Sequence, residues 1–113
     1  MHEMSITQNI LEEVEEHLKK VAYNKIINIK IKVGELTALD SSSLQFCYEA
    51  LTKGTKFENV PLLIEEVPLK GFCNNCKTSI NIDNFLFICT NCGSSDVTIT
   101  SGEELILSEI NIE

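Results

Sequence analysis

Four cysteines constrain this chain more than any other feature. Cys73-Asn74-Asn75-Cys76 and Cys89-Thr90-Asn91-Cys92 are two C-x2-C knuckles with residues 77–88 between them. Two-residue spacing lets both thiolates of a knuckle turn toward one point, and two knuckles supply the four sulfurs that tetrahedral Zn2+ takes at about 2.3 Å. Gly93 follows the second knuckle, where a residue free to adopt positive φ eases the turn. Four thiolates saturate zinc, so a site of this kind holds structure rather than activating a water. Iron in the same cage and a redox dithiol are the alternatives, but a redox motif more naturally shows one reactive pair beside a helix start. Between Gly71 and Gly102 the main apolar candidates are Ile80, Ile82, Phe85, Phe87 and Ile88. They are too few for an independent core, and metal binding is expected to supply the folding energy.

The fifth cysteine, Cys47, makes the total odd, which argues against a complete set of disulfides. Paired thiols without disulfides fit the reducing cytoplasm, the expected location. The opening Met1-His2-Glu3-Met4 is polar and does not read as a signal peptide. No run approaches the roughly 18 apolar residues of a membrane span. With 17 acids against 9 bases the formal charge is −8. A nucleic-acid reader needs the opposite sign, whereas an acidic surface suits a protein partner or a cation. Monomer and homodimer are equally compatible with this composition.

The remaining pattern is α+β. Ile6, Ile10, Leu11, Val14, Leu18 and Val21 repeat at three- and four-residue spacing, one stripe of an amphipathic helix over 5–21. Ser5 with Gln8 resembles a capping box that would start this helix just after the N-terminal peptide. Ile27, Ile29, Ile31 and Val33 then alternate with Asn28, Lys30 and Lys32, a strand with one buried face that Gly34 ends. After a loop over 35–39, Asp40 or Ser41 caps a second helix bearing Leu44, Cys47, Tyr48 and Leu51, which stops near Gly54. Val60–Val67 and Glu104–Glu113 read as two further strands. The expectation is a unit of two helices and a three-stranded sheet over 1–69 and 103–113, with a four-cysteine zinc ribbon inserted over 70–102.

A histidine in second position permits a specific chelate. The Met1 amine, the deprotonated His2 amide and the His2 Nδ1 close a five-membered and a six-membered ring around one ion, and Glu3 can complete the set. Nitrogens in one plane favour Ni2+ or Cu2+ over Zn2+. Set against this, a histidine beside the first residue is commonly an exposed side chain on a frayed terminus. His17, the only other histidine, reads as solvated. With both histidines in the first seventeen residues, no nucleophile–histidine–carboxylate set is apparent, and the chain is not expected to be an enzyme.

Met1-His2-Glu3-Met4-Ser5-Ile6, then Val33-Gly34-Glu35-Leu36-Thr37-Ala38-Leu39-Asp40, then the twin knuckles resemble the HypA/HybF hydrogenase-maturation nickel chaperones over essentially the whole chain. The resemblance implies an α+β nickel-binding domain with an inserted zinc ribbon. It implies Ni2+ as transported cargo, structural Zn2+, and delivery to the [NiFe]-hydrogenase large subunit together with a nickel-handling GTPase. Some members also serve urease maturation. His2 matches the family's nickel ligand, assisted by the Met1 amine, while Glu3 and Asp40 match acidic positions that tune or complete the site. Cys73, Cys76, Cys89 and Cys92 match the zinc ligands. A zinc-ribbon interaction module with no nickel cargo is the competing reading, and it leaves the Met1-His2-Glu3 start unexplained.

Overall fold

A computed structural model describes residues 2–113. In chain order the elements are α1 (His2–Leu18), β1 (Ile26–Gly34), a 3-10 turn (Glu35–Thr37), α2 (Ser41–Thr52), β2 (Leu62–Val67), β3 (Lys70–Cys73), β4 (Ser79–Asn81), β5 (Val97–Ser101) and β6 (Leu105–Ile112). Two helices and two three-stranded sheets, ordered β2-β1-β6 and β4-β3-β5, make the expected α+β architecture. The described residues fall into two compact units. The first runs up to Lys32 and adds Leu39–Glu65 and Ile106–Glu113; the second comprises Val33–Ala38 and Glu66–Leu105.

In the first unit, α1 packs against α2. Thr7, Ile10, Val14 and Leu18 form the buried stripe of α1, with Val14 fully enclosed. Thr7 lies on that stripe at no polar cost, because its hydroxyl donates to the Glu3 carbonyl at 2.7 Å. Two details differ from the helical reading of the sequence. The helix starts at His2 rather than after Ser5, whose hydroxyl instead bonds back to the His2 carbonyl at 3.1 Å within the first turn. Val21 lies beyond the helix end and is exposed.

In β1, Ile29, Ile31 and Val33 are buried as the alternation requires. Ile26, not Ile27, is the next buried position toward the N-terminus, so strict period two holds only from Ile29 onward. Lys25 and Glu113 exchange both backbone hydrogen bonds, the antiparallel pattern, just outside the paired strands β1 and β6. Asn28 with Asn111 and Lys30 with Glu109 continue that pairing through side chains. The α2 helix buries Leu44, Cys47, Tyr48 and Thr52, while Leu51 is half-buried. It is tied to the segment before β2 by the Tyr48 hydroxyl, which donates to the Val60 carbonyl at 2.7 Å.

In the second unit, β3 pairs antiparallel with β4 (Gly71 opposite Ile80) and with β5 (Phe72 opposite Thr98). A small core gathers Leu69, Ile80 and Ile82 with Cys73 and Cys89. Residues 33–38 join this unit through three bonds. Gly34 N–H donates to the Glu104 carbonyl, Leu36 N–H to the Gly102 carbonyl, and Leu69 N–H to Glu35 Oε1. Of the five apolar residues expected to fill the ribbon, only Ile80 and Ile82 do so. Phe85, Phe87 and Ile88 are exposed, because the connection between the knuckles turns them out through left-handed backbone at Asn84 and Phe85.

Candidate metal centre

Each knuckle is built the same way. After Cys73, the Lys77 N–H donates to the Cys73 carbonyl at 2.8 Å, and the Cys73 N–H donates to the Thr78 carbonyl at 2.8 Å. After Cys89, Gly93 and Ser94 repeat both bonds at 2.9 and 2.8 Å. The fifth position of each turn requires positive φ, supplied by Lys77 at 62° and Gly93 at 78°. Glycine makes the second turn legible in the sequence, whereas lysine hides the first.

This repetition brings four sulfurs together. The Sγ atoms of Cys73, Cys76, Cys89 and Cys92 all lie within 4.8 Å of one another. Across the two knuckles, Cys73 and Cys92 approach to 3.6 Å and Cys76 and Cys89 to 3.7 Å. Tetrahedral coordination at about 2.3 Å separates sulfurs by about 3.8 Å, so the cage already has the dimensions of a four-thiolate zinc site. Among the described residues no other group of three or more histidines, cysteines or acids converges in this way.

Donors surround the sulfurs. The Cys76 N–H points to Cys73 Sγ at 3.5 Å, and the Asn91 and Cys92 N–H groups point to Cys89 Sγ at 3.3 and 3.4 Å. Asn75 Nδ2 donates to Cys92 Sγ at 3.5 Å and Asn91 Nδ2 to Cys76 Sγ at 3.6 Å, each asparagine reaching across to the opposite knuckle. These asparagines escaped the sequence reading, although the signal is present: both knuckles carry Asn just before their second cysteine. In the metal-free thiols, hydrogen bonds from Thr78 and then Asn91 pull Cys76 down to about 6. Asn75, followed by the Ser94 backbone, lowers Cys92. At Cys73 the Cys76 amide acts in the same direction, but burial together with the hydrogen-bonded Cys92 and Cys76 thiols prevails and lifts it to about 11. The surroundings thus favour thiolate at Cys76 and Cys92, the protonation state a metal requires.

The second predicted group is distributed differently. His2 and Glu3 lie in the first turn of α1, with His2 exposed and Glu3 half-buried. Met1 lies outside the described residues. Asp40 is the N-cap of α2: its Oδ2 accepts from the Ser43 N–H at 3.1 Å and from the Ser43 hydroxyl at 2.9 Å. That leaves its other carboxylate oxygen without a role in the cap. Cys47 is buried on α2, as are Leu44 and Tyr48 of the same helix, and His17 is exposed in the last turn of α1. No helix among the described residues is long and apolar enough to cross a membrane.

Comparison with known proteins gives the same outline. The family model described as "Hydrogenase/urease nickel incorporation, metallochaperone, hypA" matches residues 1–112. Hydrogenase maturation factor HypA of Geobacter sulfurreducens is 38% identical over 113 residues, covering 100% of both chains. The protein of the same name from Nostoc punctiforme is 40% identical, covering 100% of this chain and 96% of its own. Among solved structures, the Ni metallochaperone HypA from Helicobacter pylori matches with a TM-score of 0.66 at 25% identity, over 97% of this chain and 96% of that one. A second HypA solution structure reaches a TM-score of 0.71 at 26% identity, covering 100% of this chain and 97% of that one. A four-sulfur cage of zinc dimensions, set in a fold shared along its whole length with these proteins, makes this chain a member of the HypA family of nickel metallochaperones for hydrogenase maturation.

Proposed function

We propose that this chain binds Ni2+ at its N-terminus and delivers it to the [NiFe]-hydrogenase large subunit, handing the ion on with a nickel-handling GTPase in the cytoplasm. His2 is the principal ligand, assisted by the Met1 amine, with Glu3 and the Asp40 oxygen that does not serve the cap as carboxylate contributors. The position of His2 carries this reading. It is exposed and sits in the opening turn of α1, where backbone N–H groups have no intrahelical acceptor. An amide there can give up its proton to a metal without breaking a helical hydrogen bond. The protein acts as a carrier and not as an enzyme.

Zn2+ belongs to Cys73, Cys76, Cys89 and Cys92, where it fixes the ribbon over 70–102 as a module inserted in the nickel-binding body of 1–69 and 103–113. Four sulfurs leave zinc no open position, which separates the structural ion from the transported one.

Calorimetric nickel titration of zinc-loaded protein with its native N-terminus tests the assignment. His2→Ala should weaken nickel binding at least a hundred-fold and leave zinc content unchanged. Because Ni2+ competes with protons for imidazole and amine, wild-type affinity should fall as pH drops from about 8 to about 6. Equal nickel affinity in wild type and His2→Ala would refute the carrier assignment of this residue.

A further inference from the structure

The loop between the two knuckles carries four consecutive apolar residues that the ribbon does not use. Phe85, Leu86, Phe87 and Ile88 are 48, 62, 37 and 41% exposed, although each end of the loop is anchored by a buried residue, Ile82 and Cys89. Soluble surfaces scatter large apolar residues singly, so a continuous run marks a contact surface. The backbone holds the run out. Asn84 and Phe85 have φ of 54° and 58°, and positive φ is a genuine outlier for a side chain as bulky as phenylalanine. Leu86 N–H donates to the Asp83 carbonyl and Ile88 N–H to the Leu86 carbonyl, each at 3.0 Å, so local bonds preorganise the turn.

Charge selects the occupant. The unit bearing the loop has six carboxylates against two lysines, Lys70 and Lys77, and the whole chain is at −8. A second copy would bring the same sign to the same patch, and an anionic bilayer would repel it. We infer that Phe85–Ile88 is a docking loop for a partner protein whose apolar pocket is rimmed by lysine or arginine. Burying the run supplies the affinity, and the net negative charge of the unit and of the chain supplies orientation and rate. This inference builds on the maturation role only in the choice of probes.

The test uses full-length zinc-loaded protein, with the purified GTPase and the purified metal-free hydrogenase large subunit as probes in separate arms. Leu86→Asp and Phe85→Ser should each weaken binding to one of these proteins at least ten-fold, with zinc content and nickel affinity as in wild type. Wild-type binding should weaken as salt rises from 50 to 500 mM. The inference is overturned if both variants bind both probes like wild type, or if wild type binds neither. It is equally overturned if the variants lose only self-association, or only adsorption to phosphatidylglycerol vesicles. Nickel titration of the same samples reads the carrier assignment separately, so either idea can fail alone.

Discussion

Gly34→Ala should destabilise the cysteine-bearing unit severely, although φ at Gly34 is an ordinary −77°. A Cβ placed there would lie 2.1 Å from the Gly102 carbonyl oxygen, 2.2 Å from its carbon and 2.7 Å from the Glu104 nitrogen. All three are backbone atoms, so no side chain can swing aside. Relief means separating residues 33–38 from 102–104, which strains the Gly34 N–H to Glu104 and Leu36 N–H to Gly102 hydrogen bonds, now 2.6 and 2.8 Å. Overpacking costs about 1–3 kcal/mol and each lost bond about 1 kcal/mol, giving roughly 3–5 kcal/mol in all. Gly54→Ala is the control. Gly54 has φ +78° but nothing within 4 Å of its added Cβ, so only the left-handed penalty of about 1–2 kcal/mol applies. Urea denaturation of zinc-loaded protein, followed by far-ultraviolet circular dichroism and by zinc release to a colorimetric chelator, measures both variants. If Gly34→Ala costs no more than Gly54→Ala, close backbone approach is not what requires glycine at position 34.

Asp40→Ala should cost about 1 kcal/mol through loss of the α2 cap, while Asp40→Ser keeps a cap and removes the carboxylate. Nickel affinity that falls in both variants assigns the carboxylate to the metal, and affinity unchanged in both leaves Asp40 a cap alone. Cys76→Ser should release zinc and abolish protection of the β3, β4 and β5 amides in hydrogen exchange, with the α1 and α2 amides unaffected; retained zinc at full stoichiometry would contradict a four-sulfur site. Burial lifts the Tyr48 phenol to about 12, so the folded state resists ionisation that the unfolded chain accepts at its ordinary value near 10. Its contribution to stability is therefore complete below pH 10 and is lost between about 10 and 12, a decline that Tyr48→Phe should flatten in denaturation curves taken across that range. The same substitution leaves the Val60 carbonyl unpaired and should cost about 1–2 kcal/mol at neutral pH.

Elements with a long apolar period were legible in the sequence. Ile29, Ile31 and Val33 announce β1, and Leu44, Cys47 and Tyr48 announce α2, because a buried face imposes its spacing on the residues themselves. The knuckles were legible because metal chemistry fixes both residue type and interval. The start of α1 was not, since Ser5 can accept from a later N–H as a cap or donate to the His2 carbonyl inside the helix, and local sequence does not decide between them. Nor was the association of residues 33–38 with 102–104, which depends on the missing Cβ of Gly34 and on backbone far along the chain from it. Hydrophobicity alone makes Phe85, Phe87 and Ile88 core candidates, yet their exposure follows from backbone turns that carry no glycine to signal them.

The matched turns at Lys77 and Gly93 have a consequence for how the ribbon tolerates change. Each turn closes on its own carbonyl, so the frame around the sulfurs is complete without any contribution from residues 83–88. Once an ion joins Cys76 to Cys89, the span between them is a tethered loop, and the entropy of closing such a loop rises only logarithmically with length. Doubling it costs about 0.6 kcal/mol. Side chains and even residues can therefore be exchanged along residues 83–88 at small thermodynamic cost, while Lys77, Thr78, Ile80 and Ile82 stay fixed by the first knuckle and the core and the cage keeps its dimensions. Partner choice and metal retention can thus vary independently within one short stretch of chain.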